Sequence, residues 1–160
     1  MTTKADFTNE EWIRVRRAPM IAGAAISLAD PGGPIEMSKE TMASIRSAMT
    51  PPAAEELLVA VANELKTMSE AKQNPMGDFK LQKDPAPGAQ ILDELRGATG
   101  IVKEKATSAE AQAFGEWLVE TAQSAANAAK EGGFMGIGAE LVSQREADML
   151  DQVRNAVGVA

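Results

Sequence analysis

Apolar residues recur at i, i+3 and i+4 spacing along most of the chain, and this periodicity confines it to a helical fold. The clearest seam is Leu57, Leu58, Val61, Leu65 and Met68, set opposite Glu55, Glu56, Asn63, Lys66 and Glu70. Strands bury every second residue and would scatter such a set over both faces of a sheet. Residue usage agrees with the spacing. Aromatic residues make up 4% with no Tyr, Ala is abundant and β-branched residues are sparse, a mixture that favours helix over sheet.

Punctuation residues divide the chain into six helices. The first starts at Thr8, with Glu11 three residues on as in a capping box, and carries Trp12, Val15, Ala22, Ile26 and Ala29 to the break at Asp30-Pro31-Gly32-Gly33-Pro34. Pro19 lies inside it and removes one hydrogen bond to the carbonyl of Val15, which predicts a kink. Ser38 is the expected cap of a second helix with Met42, Ile45 and Met49 on one stripe, and Thr50-Pro51-Pro52 ends it and starts the third. Gln73 to Gly88, rich in Pro and Gly, is the one long irregular segment, pinned by Phe79 and Leu81. A fourth helix runs from about Ala89 to Lys105 with Ile91, Leu92, Leu95 and Val102 inward. A fifth, capped by Ser108, runs from Ala109 to Glu131, and a last is capped by Ser143 and ends at Gly158. The small face of the fifth (Ala122, Ala125, Ala126, Ala129) matches that of the first (Ala18, Ala22, Gly23, Ala25), so these two helices are expected to pack closely.

With 160 residues, 44% hydrophobic and 24% charged, the chain fits a single domain over 1–160 that buries about two thirds of its unfolded surface. Cys and His are both absent, which excludes disulfides, thiol nucleophiles, zinc fingers, haem axial histidines and Ser-His-Asp triads; any metal must be held by oxygen. Sixteen Lys and Arg against 23 Asp and Glu give a net charge of -7, the opposite of a nucleic-acid footprint. Neither a leader nor a stretch of about 20 apolar residues is evident, so the expected location is the cytoplasm, without membrane insertion.

The two halves repeat each other at a constant offset. Glu11-Trp12 recurs as Glu116-Trp117, Gly33 as Gly138, Met37-Ser38 as Val142-Ser143 and Ile45 as Leu150, which suggests two helix–Gly loop–helix halves around a pseudo-twofold axis. Trp12 and Trp117 are then either core anchors or anchors of a dimer contact. Gly132 to Gly138 follows a helix instead of a strand and lacks the Lys-Ser/Thr of a phosphate loop, so it is read as a helix end whose Phe134, Met135 and Ile137 fold over the bundle or meet a partner. Arg14-Val15-Arg16-Arg17 places Arg14 and Arg17 on one face, either as a small anion site or as a solvated face pairing with Glu10 or Glu11. The adjacent carboxylates Glu55-Glu56 and Asp93-Glu94 point to different parts of a helix surface, and no catalytic residue is assigned.

The stretch Ala29 to Glu40 (Ala-Asp-Pro-Gly-Gly-Pro-Ile-Glu-Met-Ser-Lys-Glu) resembles the Ala-Asp-Gly, apolar, Ser, Glu loop of tellurite-resistance TerB-like domains. Lys130-Glu131-Gly132-Gly133, followed by Val142-Ser143-Gln144-Arg145-Glu146, is similar to it in the second half. The resemblance implies an all-α, cytosolic, non-enzymatic protein of stress or tellurite-resistance context, with acidic loop residues binding a divalent cation. Carried over residue by residue, the metal-ligand candidates are Asp30, Glu40, Glu131 and Glu146. Asp30, Glu36 and Glu40, or Glu131, Glu140 and Glu146, would supply three carboxylates per loop to Ca²⁺ or Mg²⁺, with carbonyls and water completing the shell. Each also has a structural alternative: Asp30 as a turn residue, Glu40 and Glu146 as complements to positive helix N-termini.

The function expected from sequence is therefore action through a protein partner or a homo-oligomer, tuned by a divalent cation at the acidic loops. The alternatives are a metal-free structural or interaction bundle and a bundle that binds an apolar small ligand.

Overall fold

The computed structural model describes residues 1–30, 34–130 and 143–159, with the side chains of 36, 129 and 130 excepted. After a 3₁₀ turn at Lys4–Asp6 come six helices: α1 (Asn9–Ala29), α2 (Pro34–Ala48), α3 (Glu56–Glu70), α4 (Pro87–Lys105), α5 (Ser108–Lys130) and α6 (Gln144–Val157). No strand occurs among the described residues, and no helix there is long and apolar enough to cross a membrane. The expected all-α bundle is the observed class.

The two long Ala-rich helices form the centre, since α1 and α5 touch each other and each also touches all four remaining helices. Ala18, Ala22 and Ala25 of α1 and Ala122, Ala125 and Ala126 of α5 are fully buried, as the matching small faces predicted. Larger side chains fill the space around this seam: Trp12, Val15, Ile21 and Ile26 from α1, Phe114, Trp117 and Leu118 from α5, Leu57, Leu58 and Leu65 from α3, and Ile91 and Leu95 from α4. Both tryptophans are core anchors. Trp12 Nε1 donates to Glu64 at 2.8 Å and Trp117 Nε1 to the Ser47 carbonyl at 2.8 Å, so each brings its polar edge to an acceptor on another helix.

Helix ends follow local chemistry. Thr8 Oγ1 accepts from the Glu11 amide at 3.2 Å while the Glu11 carboxylate accepts from the Thr8 amide at 2.7 Å, the expected capping box. Ser143 and Glu146 form the same box on α6, which ends where Gly158 takes φ 75°. The other four starts differ from expectation, those of α5 and α4 by one or two residues. Thr107, not Ser108, caps α5: its hydroxyl accepts from the Glu110 amide, and the Glu110 carboxylate accepts from the Thr107 amide. The Thr-x-x-Glu spacing singles out Thr107. Helix α4 starts at Pro87, two residues earlier than expected, because Pro at the first helical position lacks only an amide that would have had no partner.

The larger correction is α2. It begins at Pro34, so Ser38 is an exposed residue inside the helix and not its cap, and Met42 is 61% exposed. The buried face is Glu40, Ser44 and Ala48, an i, i+4 row of small or polar groups. Gly23 explains the choice: a Cβ on it would lie 2.4 Å from Ser44 Cβ, so α1 and α2 approach too closely for a methionine stripe between them. Gly23→Ala is expected to cost about 1–3 kcal/mol of unfolding free energy in urea titration, and Ser44→Gly in the same chain to recover part of it. Additive losses from the two changes would mean that the helices do not meet there. Helix α3 starts only at Glu56, after an irregular 50–55, and not directly at the Pro51-Pro52 pair. Helix α1 runs through Pro19 without interruption.

The basic cluster of α1 turns inward. Arg17 is 8% exposed and donates to Glu94 of α4 from Nη2 at 2.8 Å and from Nε at 3.0 Å; Arg14 reaches the same carboxylate at 3.2 Å, and Arg16 binds Glu64 at 3.0 Å. Arg14 and Arg17 do share a face, and the anion they hold is the protein's own, on α4 instead of Glu10 or Glu11. Arg17 also bonds Asp78 at 3.3 Å and stands 5.1 Å from the Phe79 ring, so Phe79 fastens the 73–86 segment to α1, whereas Leu81 is 39% exposed.

Candidate functional site

Asp30, Glu40 and Glu146 reach one pole of the bundle from three helices. Asp30 is the C-cap of α1, its amide donating to the Ile26 carbonyl at 3.2 Å. Glu40 stands two turns into α2, 1% exposed, and accepts from Ser27 Oγ of α1 at 2.6 Å through Oε2. Glu146 is the third residue of α6, 5% exposed, its Oε2 accepting from the Ser143 amide at 3.0 Å. Glu131, together with Glu140 and the rest of 131–142, lies outside the described residues, as does the glycine-rich loop. The side chain of Glu36 is likewise outside them.

Electrostatics ties the three described carboxylates together. Burial raises the Glu146 carboxyl above its usual 4.5; the Ser143 amide works against this, and the negative charges of Glu40 and Asp30 push it further up. No described residue forms an ion pair with any of the three. Glu110 at the start of α5 shows the opposite balance. Burial raises it too, but hydrogen bonds from the amides and hydroxyls of Thr2 and Thr107 outweigh that and hold it at about 2.

Sequence reasoning assigned Asp30 and Glu40 to one loop and Glu131 and Glu146 to another, whereas Glu146 feels the charges of Glu40 and Asp30. Glu40 is not at a helix N-terminus; it is a buried hydrogen-bond acceptor whose neighbour Glu146 comes from the other half of the chain. Glu146 does have the expected capping duty. Among the described residues no three acidic side chains are gathered into a ready-made ligand set, so a cation there would need its shell completed by carbonyls and water and by some side-chain movement. Chemically, the pole holds like charges in poor contact with solvent, and either a proton or a cation relieves it.

Sequence reasoning missed Glu94 as an internal anion. Its neighbour Asp93 faces solvent and, among the described residues, pairs only with Arg96, so Asp93-Glu94 in sequence gave no sign that one member was buried. Compared with family models, with curated proteins and with solved structures, the chain matches none.

Proposed function

We propose that this is a non-enzymatic, cytosolic binding protein of the TerB-like kind, in a stress or tellurite-resistance context, which works through protein contacts and takes up Ca²⁺ or Mg²⁺ at the pole of Asp30, Glu40 and Glu146. One observation carries the cation part: two glutamates on different helices, 1% and 5% exposed, repel each other beside Asp30 without an ion-pair partner among the described residues. A bound cation would turn that repulsion into attraction. Contacts of α2 with α1 and of α6 with α1 and α5 would carry the change into the bundle.

Stability measured with and without metal tests this. Without metal, the folded chain keeps the Glu146 proton to higher pH than the unfolded chain does. Stability is therefore lost as pH rises from the usual glutamate value of 4.5 through the raised one. Glu146→Gln, which keeps a capping-box acceptor, is expected to be more stable than the parent at neutral pH and to lose that window of pH dependence. With Ca²⁺, Mg²⁺ or Mn²⁺ at a hundredfold excess over Kd the parent gains about 2.7 kcal/mol and the variant does not. Absence of both titration heat and thermal stabilisation at millimolar metal would overturn the cation assignment. The bundle would then be metal-free, with Glu40 and Glu146 serving only Ser27 and the α6 cap.

A further inference from the structure

A groove of about 350 Å³ opens between α1, α2 and the C-terminal end of α3, remote in sequence from the acidic pole's Glu146. Its floor is Met20, Ile45, Met49 and Leu65, and its rim carries Ser69 and Lys72. A smaller depression of about 150 Å³ shares Met20 with it and reaches Ser27 and Met76. The larger groove falls at the small end of the range for small-molecule clefts, about 300–1,000 Å³. Unbranched thioether side chains let such a floor adapt to a chain of varying shape.

Charge marks the occupant. The chain carries 23 acidic against 16 basic residues, yet no carboxylate is among the described residues that line the groove or the smaller depression. The one charge on the rim is Lys72, which pairs with no described carboxylate. Its backbone is equally unusual. Lys72 sits at φ 56° just past α3, where the Gln73 amide returns to the Met68 carbonyl, a helix stop that glycine normally fills. It is the one non-glycine residue at positive φ among those described. A side chain kept where the backbone prefers none brings an ammonium to the edge of an apolar trough.

We propose that this groove binds an amphipathic monocarboxylate, a free acyl-chain anion whose hydrocarbon body lies over Met20, Ile45 and Met49 and whose carboxylate meets Lys72. The smaller depression reaches Ser27, the donor to Glu40, but no carboxylate of the acidic pole lines either depression, and the contact at Lys72 requires no cation at the pole.

The test uses the full chain with ¹³C-methyl methionine, titrated with decanoate and, as the uncharged probe, decanol. Saturable shifts are expected at the methyls of Met20, Met49 and Met76 and not at Met149, which packs beside Gly88. Decanoate should bind about fivefold more tightly than decanol, the size of one solvent-exposed ion pair. Lys72→Gly should abolish that preference without lowering Tm, since glycine adopts the same φ freely. Met49→Glu, which puts a carboxylate into the groove, should abolish decanoate binding. The proposal is overturned if the three methyls do not shift saturably at millimolar decanoate, if acid and alcohol bind alike to the parent, or if Lys72→Gly keeps the preference for the acid.

Discussion

Trp117→Ala is expected to lower the unfolding free energy by about 3–5 kcal/mol, the range for deleting a fully buried aromatic side chain. For a domain of 160 residues that corresponds to a fall in Tm of about 6–20 °C. The loss has two physical parts. Removing the indole opens a cavity beside Phe114, whose ring centroid lies 6.4 Å away in an edge-on arrangement. It also removes the donor that joins α5 to the Ser47 carbonyl near the end of α2. Trp117→Phe separates them: it fills most of the cavity and loses the hydrogen bond, which contributes about 0.5–1.5 kcal/mol net. Thermal and urea unfolding of both variants read the two parts. A loss from Trp117→Ala of under 1 kcal/mol would place the indole outside a packed core.

The second large effect belongs to the ion cluster between α1 and α4. Glu94→Ala leaves Arg17 buried without its carboxylate and strips Arg14 of the same partner, an arrangement that costs about 3–5 kcal/mol when one side of a buried pair is removed. Asp78 cannot compensate, because its side chain is 96% exposed and a pair at such a site contributes at most about 1 kcal/mol. The apolar double variant Arg17→Met with Glu94→Leu is expected to recover much of the loss, since no charge is then left buried. Asp93→Ala is the neighbouring surface control and should change stability by under about 0.5 kcal/mol. The same cluster holds the irregular 73–86 segment through Asp78 and Phe79. Limited proteolysis of Glu94→Ala should therefore cut there faster than in the parent. Equal stability losses for Glu94→Ala and Asp93→Ala would remove Glu94 from the interior.

Agreement between sequence and structure was best where one local rule was enough. The α3 seam is buried at Leu57, Leu58, Val61 and Leu65, because a single face of apolar residues has only one way to leave water. The Thr8 and Ser143 boxes are set within four residues and need no partner helix. For α2 the same reasoning failed. Methionine at helical spacing reads as a core stripe, yet close approach to Gly23 leaves space only for Ser44 and its row-mates.

For the acidic pole, the sequence supplied residue types and rough positions, and the absence of Cys and His left oxygen as the only ligand chemistry. It could not show that Glu40 and Glu146, far apart in the chain, act on one another across packed helices, because that depends on how α2 and α6 are laid against α1. The groove under Lys72 is of the same kind, since Met20, Met49 and Leu65 become its floor only after three helices meet. Helical class, the capped starts of α1 and α6 and the ligand inventory were thus fixed by periodicity, capping and composition, which act over a few residues. Which polar groups are buried, which charges face each other and where a cavity opens were decided by tertiary packing, because burial and electrostatic fields belong to the whole assembly of helices.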